Sequence, residues 1–130
     1  MVSELESFQF KKVGEYFRGE DGNVDRRVSE GVKITDRLPM VYAICVDGAV
    51  CYIGETIQGY TRPLNYHRND VMIRVRDGIR AATENEGTAE VFARTSGLDI
   101  EHEGLQLNIR QAIEIALVRK LKPAWNKQDE

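Results

Sequence analysis

The sequence has few of the residues that would indicate a scaffold held together by disulfides or by a structural metal. Its 130 residues include two cysteines, two histidines, three prolines and one tryptophan. Two cysteines are too few for a disulfide framework, and they fit a reducing cytoplasm. Cys45, Cys51 and two scattered histidines also lack the spacing of a zinc site. We therefore expect a cytoplasmic protein in which both cysteines are free thiols.

Long apolar runs are also absent. No stretch reaches the roughly eighteen apolar residues that a membrane-spanning helix needs, so no membrane partner is predicted. The first ten residues, "MVSELESFQF", carry early acids and lack the apolar segment of a signal peptide. A chain with 42% hydrophobic and 30% charged residues is typical of one globular domain at this length.

An overall excess of positive charge is the third absence. The net charge is −3, whereas proteins that bind nucleic acid usually show a basic footprint. The charge is uneven: residues 57–82 sum to +3, residues 83–107 to −5 and residues 108–130 to +2. If the two basic segments share a face, that face favours phosphate. Otherwise they are ordinary solvated helix faces, and the charge pattern leaves both interpretations open.

The hydrophobic pattern predicts an α+β fold in the order β-β-α-β-α. The strands are "MVYAICV", "AVCYIG" and "TAEVFART", with a helix from Pro63 through "MIRVRDGIRAATEN" and another that ends before Pro123. This order predicts a small, largely antiparallel three-stranded sheet with helices, in a domain over residues 40–130. Residues 1–39, where "FQFKKV" and "RRVSEGVKI" have weak strand character, form an N-terminal extension of unknown role.

The first two strands are joined at Asp47-Gly48, and the register there has two solutions. A two-residue turn leaves Tyr42 and Tyr52 on opposite faces of the hairpin. A three-residue loop over residues 46–48, closed by Gly48 in a left-handed conformation, pairs the two tyrosines directly on one face. The chemistry considered below requires both tyrosines on one face and favours the second register.

The last helix carries a carboxylate in an apolar setting, in "AIEIALV" at residues 112–118. Ile109, Ile113 and Leu117 lie along one stripe of this helix, and Glu114 is about 100° from Ile113, at the edge of the stripe. A buried charge without a partner costs several kcal/mol, so such a residue is exposed, neutralised or functional. From the helix alone, a surface glutamate and a functional one are equally good interpretations.

The stretch "MVYAICVDGAVCYIGET" resembles the signature of the GIY-YIG nucleases. Residues 40–42, "MVY", stand where the family has Gly-Ile-Tyr, and residues 52–54 reproduce Tyr-Ile-Gly. The family's later arginine, glutamate and asparagine correspond to Arg62, Glu114 and Asn126. The resemblance covers residues 40 to 127, and it is the order and spacing of these elements together that make it specific.

This resemblance implies a metal-dependent endonuclease that hydrolyses DNA phosphodiester bonds with Mg²⁺ or Mn²⁺. Glu114 would be the metal ligand, and Arg62 would offer a permanent charge and paired donors to the phosphate oxygens. Tyr42 and Tyr52 would place hydroxyls near the attacking water, and either is a candidate base if nearby cations lower its pKa. Asn126 would hold the geometry by hydrogen bonding.

His67 is a further candidate on the same basis. Some family members carry a histidine four residues after the arginine, but here Tyr66 has that spacing and His67 follows it. One residue is a large rotation on a helix, so the sequence leaves open whether His67 reaches the site.

Two features depart from the family pattern. Met40 replaces a glycine, and the acidic balance is compatible with a catalytically silent GIY-YIG-like module for binding or assembly. Besides DNA, the expected partners are a protein or a second copy of the chain, forming a homodimer, bound through residues 1–39.

Overall fold

The computed structural model describes residues 2–126, which form a five-stranded sheet, a two-stranded sheet and three α-helices. The helices are α1 (Val2–Ser7), α2 (Ile73–Ala82) and α3 (Arg110–Leu121). The strands are β1 (Lys11–Arg18), β2 (Val24–Val28), β3 (Met40–Val46), β4 (Ala49–Thr56), β5 (Ala89–Arg94), β6 (Asp99–His102) and β7 (Leu105–Asn108). Short 3-10 turns cover Tyr66–Arg68 and Glu84–Glu86. None of the helices in this part of the chain is long and apolar enough to cross a membrane.

The predicted three-stranded sheet in a β-β-α-β-α layout is wrong. The main sheet has the order β2-β1-β5-β3-β4, and every neighbouring pair is antiparallel. Strands β1 and β2 come from the segment predicted as an extension. In β1 the residues Val13 and Gly14 are both buried, and the pairing with β5 shifts register between Lys12 and Gly14. This irregularity breaks the period-two alternation by which a strand is recognised.

The acidic stretch after β5 forms the antiparallel β6–β7 hairpin. One further prediction fails in the connections. The helix predicted from Pro63 begins only at Ile73, after the Tyr66–Arg68 turn. The Asn69 side chain accepts hydrogen bonds from the backbone N–H groups of Val71 and Met72, at 2.8 and 2.7 Å, just before α2 begins.

The sheet is covered on both faces, and strand β3 contributes to both cores. Tyr42 and Ile44 belong to the core shared with α2, whereas Val41 and Ala43 belong to the core shared with α1 and α3. A strand that is buried on both sides has a continuous apolar sequence, as "MVYAICV" does. The candidate tyrosines therefore lie on the α2 side of the sheet.

Candidate active site

The β3–β4 hairpin closes with a two-residue turn, so the predicted three-residue loop is wrong. Val46 pairs with Ala49, and Asp47 and Gly48 between them have φ angles of 50° and 79°. The predicted left-handed conformation of Gly48 is confirmed. Positive φ at both central positions is the geometry of a type I′ turn, which matches the twist of antiparallel strands.

A bulge further along β4 nevertheless brings the two tyrosines to the same face. Cys45 pairs with Val50 but Ile44 pairs with Tyr52, so Cys51 is an extra residue on β4. One extra residue reverses the facing of every side chain beyond it. The rings of Tyr42 and Tyr52 are consequently neighbours, with centroids 6.3 Å apart.

Gly54 is the residue directly opposite Tyr42, and it makes room for the phenol ring. A Cβ atom placed on Gly54 would lie 2.5 Å from the Tyr42 hydroxyl oxygen and 2.6 Å from the adjoining ring carbon. The glycine of "YIG" is therefore required by close packing against the tyrosine of the first motif.

Changing Gly54 to alanine should therefore displace Tyr42 and destabilise the protein. We expect a loss of about 1–3 kcal/mol in the free energy of unfolding, which is usual for an overpacked core. Urea unfolding measures it. Gly19→Ala is the matched control, because its Cβ would meet the end of the exposed Asp21 side chain at 3.1 Å and the Asn23 carbonyl oxygen at an ordinary contact distance of 3.6 Å. Equal losses in the two variants would contradict this account of Gly54.

A third tyrosine completes the cluster. The hydroxyls of Tyr42 and Tyr66 share a hydrogen bond, and the rings of Tyr52 and Tyr66 meet edge to face with centroids 5.7 Å apart. Tyr66 is held in turn by Tyr16 of β1, whose hydroxyl accepts the Tyr66 N–H at 3.1 Å and donates to the Pro63 carbonyl. Strand β1 thus supports the floor of the site.

Burial raises the pKa of Tyr42, Tyr52 and Tyr66 above the ordinary value for a phenol. For Tyr52, the negative charge of Glu114 adds to this rise, whereas the positive charge of Arg62 opposes it. The expectation that a nearby cation lowers a tyrosine pKa is therefore outweighed here by desolvation. All three phenols are neutral at physiological pH, and a neutral phenol donates hydrogen bonds.

Arg62 lies beside this cluster in the loop after β4. Its guanidinium carbon is 5.9 Å from the centroid of the Tyr66 ring, within the range of a cation–π contact. The residue is exposed and lines a cleft of about 360 Å³ together with Glu55 and Arg110. The guanidinium is thus oriented by an aromatic ring and remains open to an anionic ligand.

Glu114 is half-buried on α3, near a second carboxylate. Burial raises the pKa of Glu114, the negative charge of Glu55 raises it further, and Arg110 partly opposes the rise. The Nε of Arg110 donates to Glu55 at 2.5 Å, so Glu55 already has a cationic partner. The positive charge of Arg110 therefore does not compensate for the cost of ionising Glu114 in this position.

The donor set around Glu114 fits a hard divalent cation. Among residues 2–126, no group of three or more His, Cys, Asp or Glu side chains could hold a metal ion. Magnesium does not need such a group, since it binds through one or two carboxylates, its own waters and substrate phosphate. Glu114, with Glu55 beside it, provides this smaller set, and a cation would offset the charge that burial disfavours.

Asn126 braces the strand that carries Tyr52. Its side-chain oxygen accepts the Ile53 N–H at 2.9 Å, and its side-chain nitrogen donates to the Ile53 carbonyl at 2.8 Å. The backbone N–H of the neighbouring Trp125 donates to the backbone carbonyl of Cys51 at 2.8 Å, and the Trp125 ring packs on Gly78 of α2. Asn126 therefore fixes the position of β4.

The structure separates His67 from the tyrosine cluster. Tyr66 faces the cluster, whereas His67 packs against the other side of Tyr16, with ring centroids 5.3 Å apart, and lines a different cleft. Burial lowers the pKa of His67, and the charges of Arg26 and Arg68 lower it further while Asp25 opposes them. Of the six candidates, the structure brings Tyr42, Tyr52, Arg62 and Glu114 near one another. Asn126 binds the backbone of β4.

Sequence reasoning missed three contributors to this site. Tyr66 had a signal, because it stands four residues after Arg62, where some family members carry a histidine. Glu55 directly follows "YIG", but an acidic residue at a strand end is too common to single out. Tyr16 had no signal, since nothing in the sequence relates it to residues 63–66.

The fold that carries this site is similar to the folds of two solved endonucleases. EndoII of bacteriophage T4, solved as a glutamate-to-alanine mutant, matches with a TM-score of 0.72 and 20% identity over 98% of both chains. The restriction endonuclease HPY188I, solved in complex with product DNA, matches with a TM-score of 0.52 and 15% identity over 97% of this chain and 82% of that one. No family model and no curated protein sequence matches the chain.

Proposed function

We propose that this protein is a metal-dependent endonuclease of the GIY-YIG type that hydrolyses phosphodiester bonds in DNA. The observation that carries this proposal is the grouping of Tyr52, Arg62 and Glu114 around β4, with Arg62 open to an anion and Glu114 short of counter-charge. The fold supports it, because both similar structures are endonucleases.

The residues divide the chemistry among them. Arg62 would bind two non-bridging oxygens of the phosphate through its paired N–H donors and stabilise the charge that develops there. Glu114, with Glu55 beside it, would hold a Mg²⁺ or Mn²⁺ ion, which supplies Lewis-acid charge and lowers the pKa of bound water. Water would attack phosphorus as the bond to the leaving sugar oxygen breaks. The attacking water would lose a proton to solvent, and the sugar oxygen would take one up to become a free hydroxyl.

Tyr52 is the tyrosine that we place at the reacting groups. The charges of Glu114 and Arg62 both act on the pKa of its phenol. Tyr42 is 1% exposed and shares its hydroxyl with Tyr66, so it acts as a positioning residue for the cluster. Tyr52 would hydrogen-bond the attacking water or a phosphate oxygen.

The two tyrosine-to-phenylalanine variants should therefore differ. Tyr52→Phe removes a hydroxyl at the reaction and should slow single-turnover cleavage by about 10²-fold, with stability retained. Tyr42→Phe removes the buried hydrogen bond between the Tyr42 and Tyr66 hydroxyls and should lower the free energy of unfolding by about 1 kcal/mol. Quenched cleavage assays and urea unfolding measure the two effects. The opposite assignment follows if Tyr42→Phe stops cleavage in a stable protein and Tyr52→Phe does not.

Supercoiled plasmid gives the direct test of the function. We expect nicking and linearisation with Mg²⁺ or Mn²⁺, no cleavage with a chelator, and no cleavage by Glu114→Gln prepared in parallel. Cleavage that persists in the chelator would contradict metal dependence. A pure, folded protein that never cuts duplex, single-stranded or branched DNA with either metal would contradict the endonuclease.

A second candidate is a catalytically silent GIY-YIG-like module for binding or assembly, which the net charge of −3 favours. It predicts DNA or protein binding that is unchanged in Glu114→Gln and no turnover with any metal. For either function we propose a cytoplasmic location, since Cys45 and Cys51 are both free thiols.

A further inference from the structure

A second basic cleft lies beyond Arg62 and takes no part in the chemistry proposed above. It has a volume of about 560 Å³, and basic side chains, two aspartates and His67 line it. The arginines that line it are Arg18, Arg68 and Arg80. None of the residues that line it belongs to the tyrosine cluster or to the Glu114 pair.

This cleft is linked to the candidate active site by residues that line adjacent clefts. Arg62 lines both the cleft beside Glu55 and a neighbouring cleft of about 390 Å³. Arg68 lines that middle cleft and also the cleft that contains Arg80 and His67. A groove thus runs from Arg110 past Arg62 and Arg68 to Arg80, with an arginine at each step.

Two of these arginines have charges that the protein does not use. Within residues 2–126 the guanidinium groups of Arg68 and Arg80 have no hydrogen-bond or ion-pair partner. Arg18 differs, because it is held by Thr83 and by the carbonyls of Gly22 and Arg80 at 2.7–3.2 Å. The cleft therefore contains one arginine that is held by hydrogen bonds and two unpaired arginines that are exposed to solvent.

Within residues 2–126, Asp21 and Asp25 form no ion pair with these two arginines. The Asp21 carboxylate accepts the backbone and side-chain N–H groups of Asn23, at 3.0 and 3.1 Å. The Asp25 carboxylate accepts the backbone N–H of Arg26 at 2.7 Å. Each carboxylate is thus engaged with its own loop or strand.

His67, which also lines this cleft, has a buried polar atom without a partner among residues 2–126. It is 8% exposed, and its Nδ1 is the buried side-chain polar atom without a hydrogen-bond partner in the described part of the chain. Buried polar atoms are nearly always hydrogen-bonded, so an exception points to a ligand or water that completes the site.

We propose that this cleft is a second phosphate-binding subsite, in which Arg68 and Arg80 contact DNA backbone phosphates beyond the one held by Arg62. The proposal rests on the proposed function, and it names the path of the substrate across the protein. It also gives an acidic chain a place for a DNA substrate, because the residues that line the three clefts include five arginines against four carboxylates and are net positive.

Salt-dependent DNA binding tests the subsite in a background that does not cut. Glu114→Gln would be compared with the same protein carrying Arg68→Ala and Arg80→Ala, on a mixed-sequence duplex in Mg²⁺. Each phosphate contact contributes about 0.9 to the slope of log K against log salt concentration. Loss of two contacts should therefore reduce the slope by about two.

A charge-matched control is available on α3, whose Arg119 and Lys120 are exposed and do not line the groove. Arg119→Ala with Lys120→Ala removes the same two charges and should leave the slope unchanged. Arg68→Lys with Arg80→Lys keeps the charges and should restore it, which separates charge loss from misfolding.

The failures of the two proposals are distinguishable. Equal slopes in the groove variant and the α3 control would overturn the subsite, and plasmid cleavage by the wild type would then leave the endonuclease standing. A reduced slope in the groove variant alone supports the subsite even if the wild type never cuts, in which case only the endonuclease fails. A wild type that neither binds nor cuts DNA overturns both.

Discussion

Glu114→Gln is expected to abolish DNA cleavage while the protein stays folded, with a loss in rate of about 10³-fold or more. Glutamine keeps the shape of the side chain but removes the charge that would hold the metal, and removing one preorganised electrostatic group can cost this much. Single-turnover cleavage in Mg²⁺ and in Mn²⁺ measures the loss. Full activity in a folded Glu114→Gln protein would remove Glu114 from the metal site.

The same substitution should change stability in a pH-dependent way without metal. Because the pKa of Glu114 is raised in the folded protein, its ionised form destabilises the fold. Glu114→Gln should therefore be the more stable protein at neutral pH. Its advantage should shrink as the pH falls through the raised pKa and vanish below the ordinary carboxyl pKa. Urea unfolding at several pH values measures this difference.

Metal should reverse the order of stability. An ion that binds only the folded wild type adds to its free energy of unfolding by mass action. Mn²⁺ should therefore raise the melting temperature of the wild type and leave that of Glu114→Gln unchanged. Equal shifts in both proteins would place the metal elsewhere.

Arg62→Lys and Arg62→Ala should both lose most of the cleavage activity, by about 10²–10³-fold for alanine. Lysine keeps the positive charge but loses the planar, paired donors, and it fits less well over the Tyr66 ring. The exposed Arg119→Lys on α3 is the control, and it should cleave as the wild type does. If lysine at position 62 restores full activity, Arg62 is a general electrostatic contact and not an oriented ligand of the phosphate.

The motif residues show how far the sequence could predict the site. Tyr52, Arg62 and Glu114 were expected together, and the same-face arrangement of Tyr42 and Tyr52 holds for a different reason from the one expected. The sequence around Asp47-Gly48 favours two turns of nearly equal merit, and the bulge at Cys51 that decides the facing leaves no local pattern. The register of β3 and β4 could therefore not be predicted from the sequence.

The supporting contacts could not be predicted from the sequence because they join residues that are far apart in the chain. Tyr16 reaches Tyr66 only because β1 pairs with β5, and weak alternation hid β1. His67 could not be placed because the residues after Pro63 form a 3-10 turn, in which neighbouring residues point to the tyrosine cluster and to a separate cleft. Local patterns predict elements, whereas such contacts follow from how the elements pack.

The clamp of Asn126 on Ile53 and the support of Tyr66 by Tyr16 affect when the site can form during synthesis. Tyr16 lies near one end of the described chain and Asn126 at the other, and both hold parts of the same tyrosine cluster. A ribosome delivers the chain from its N-terminus, so a nascent chain that already contains Tyr52 and Arg62 still lacks the residue that fixes β4. The cluster is therefore completed only after Asn126 has emerged.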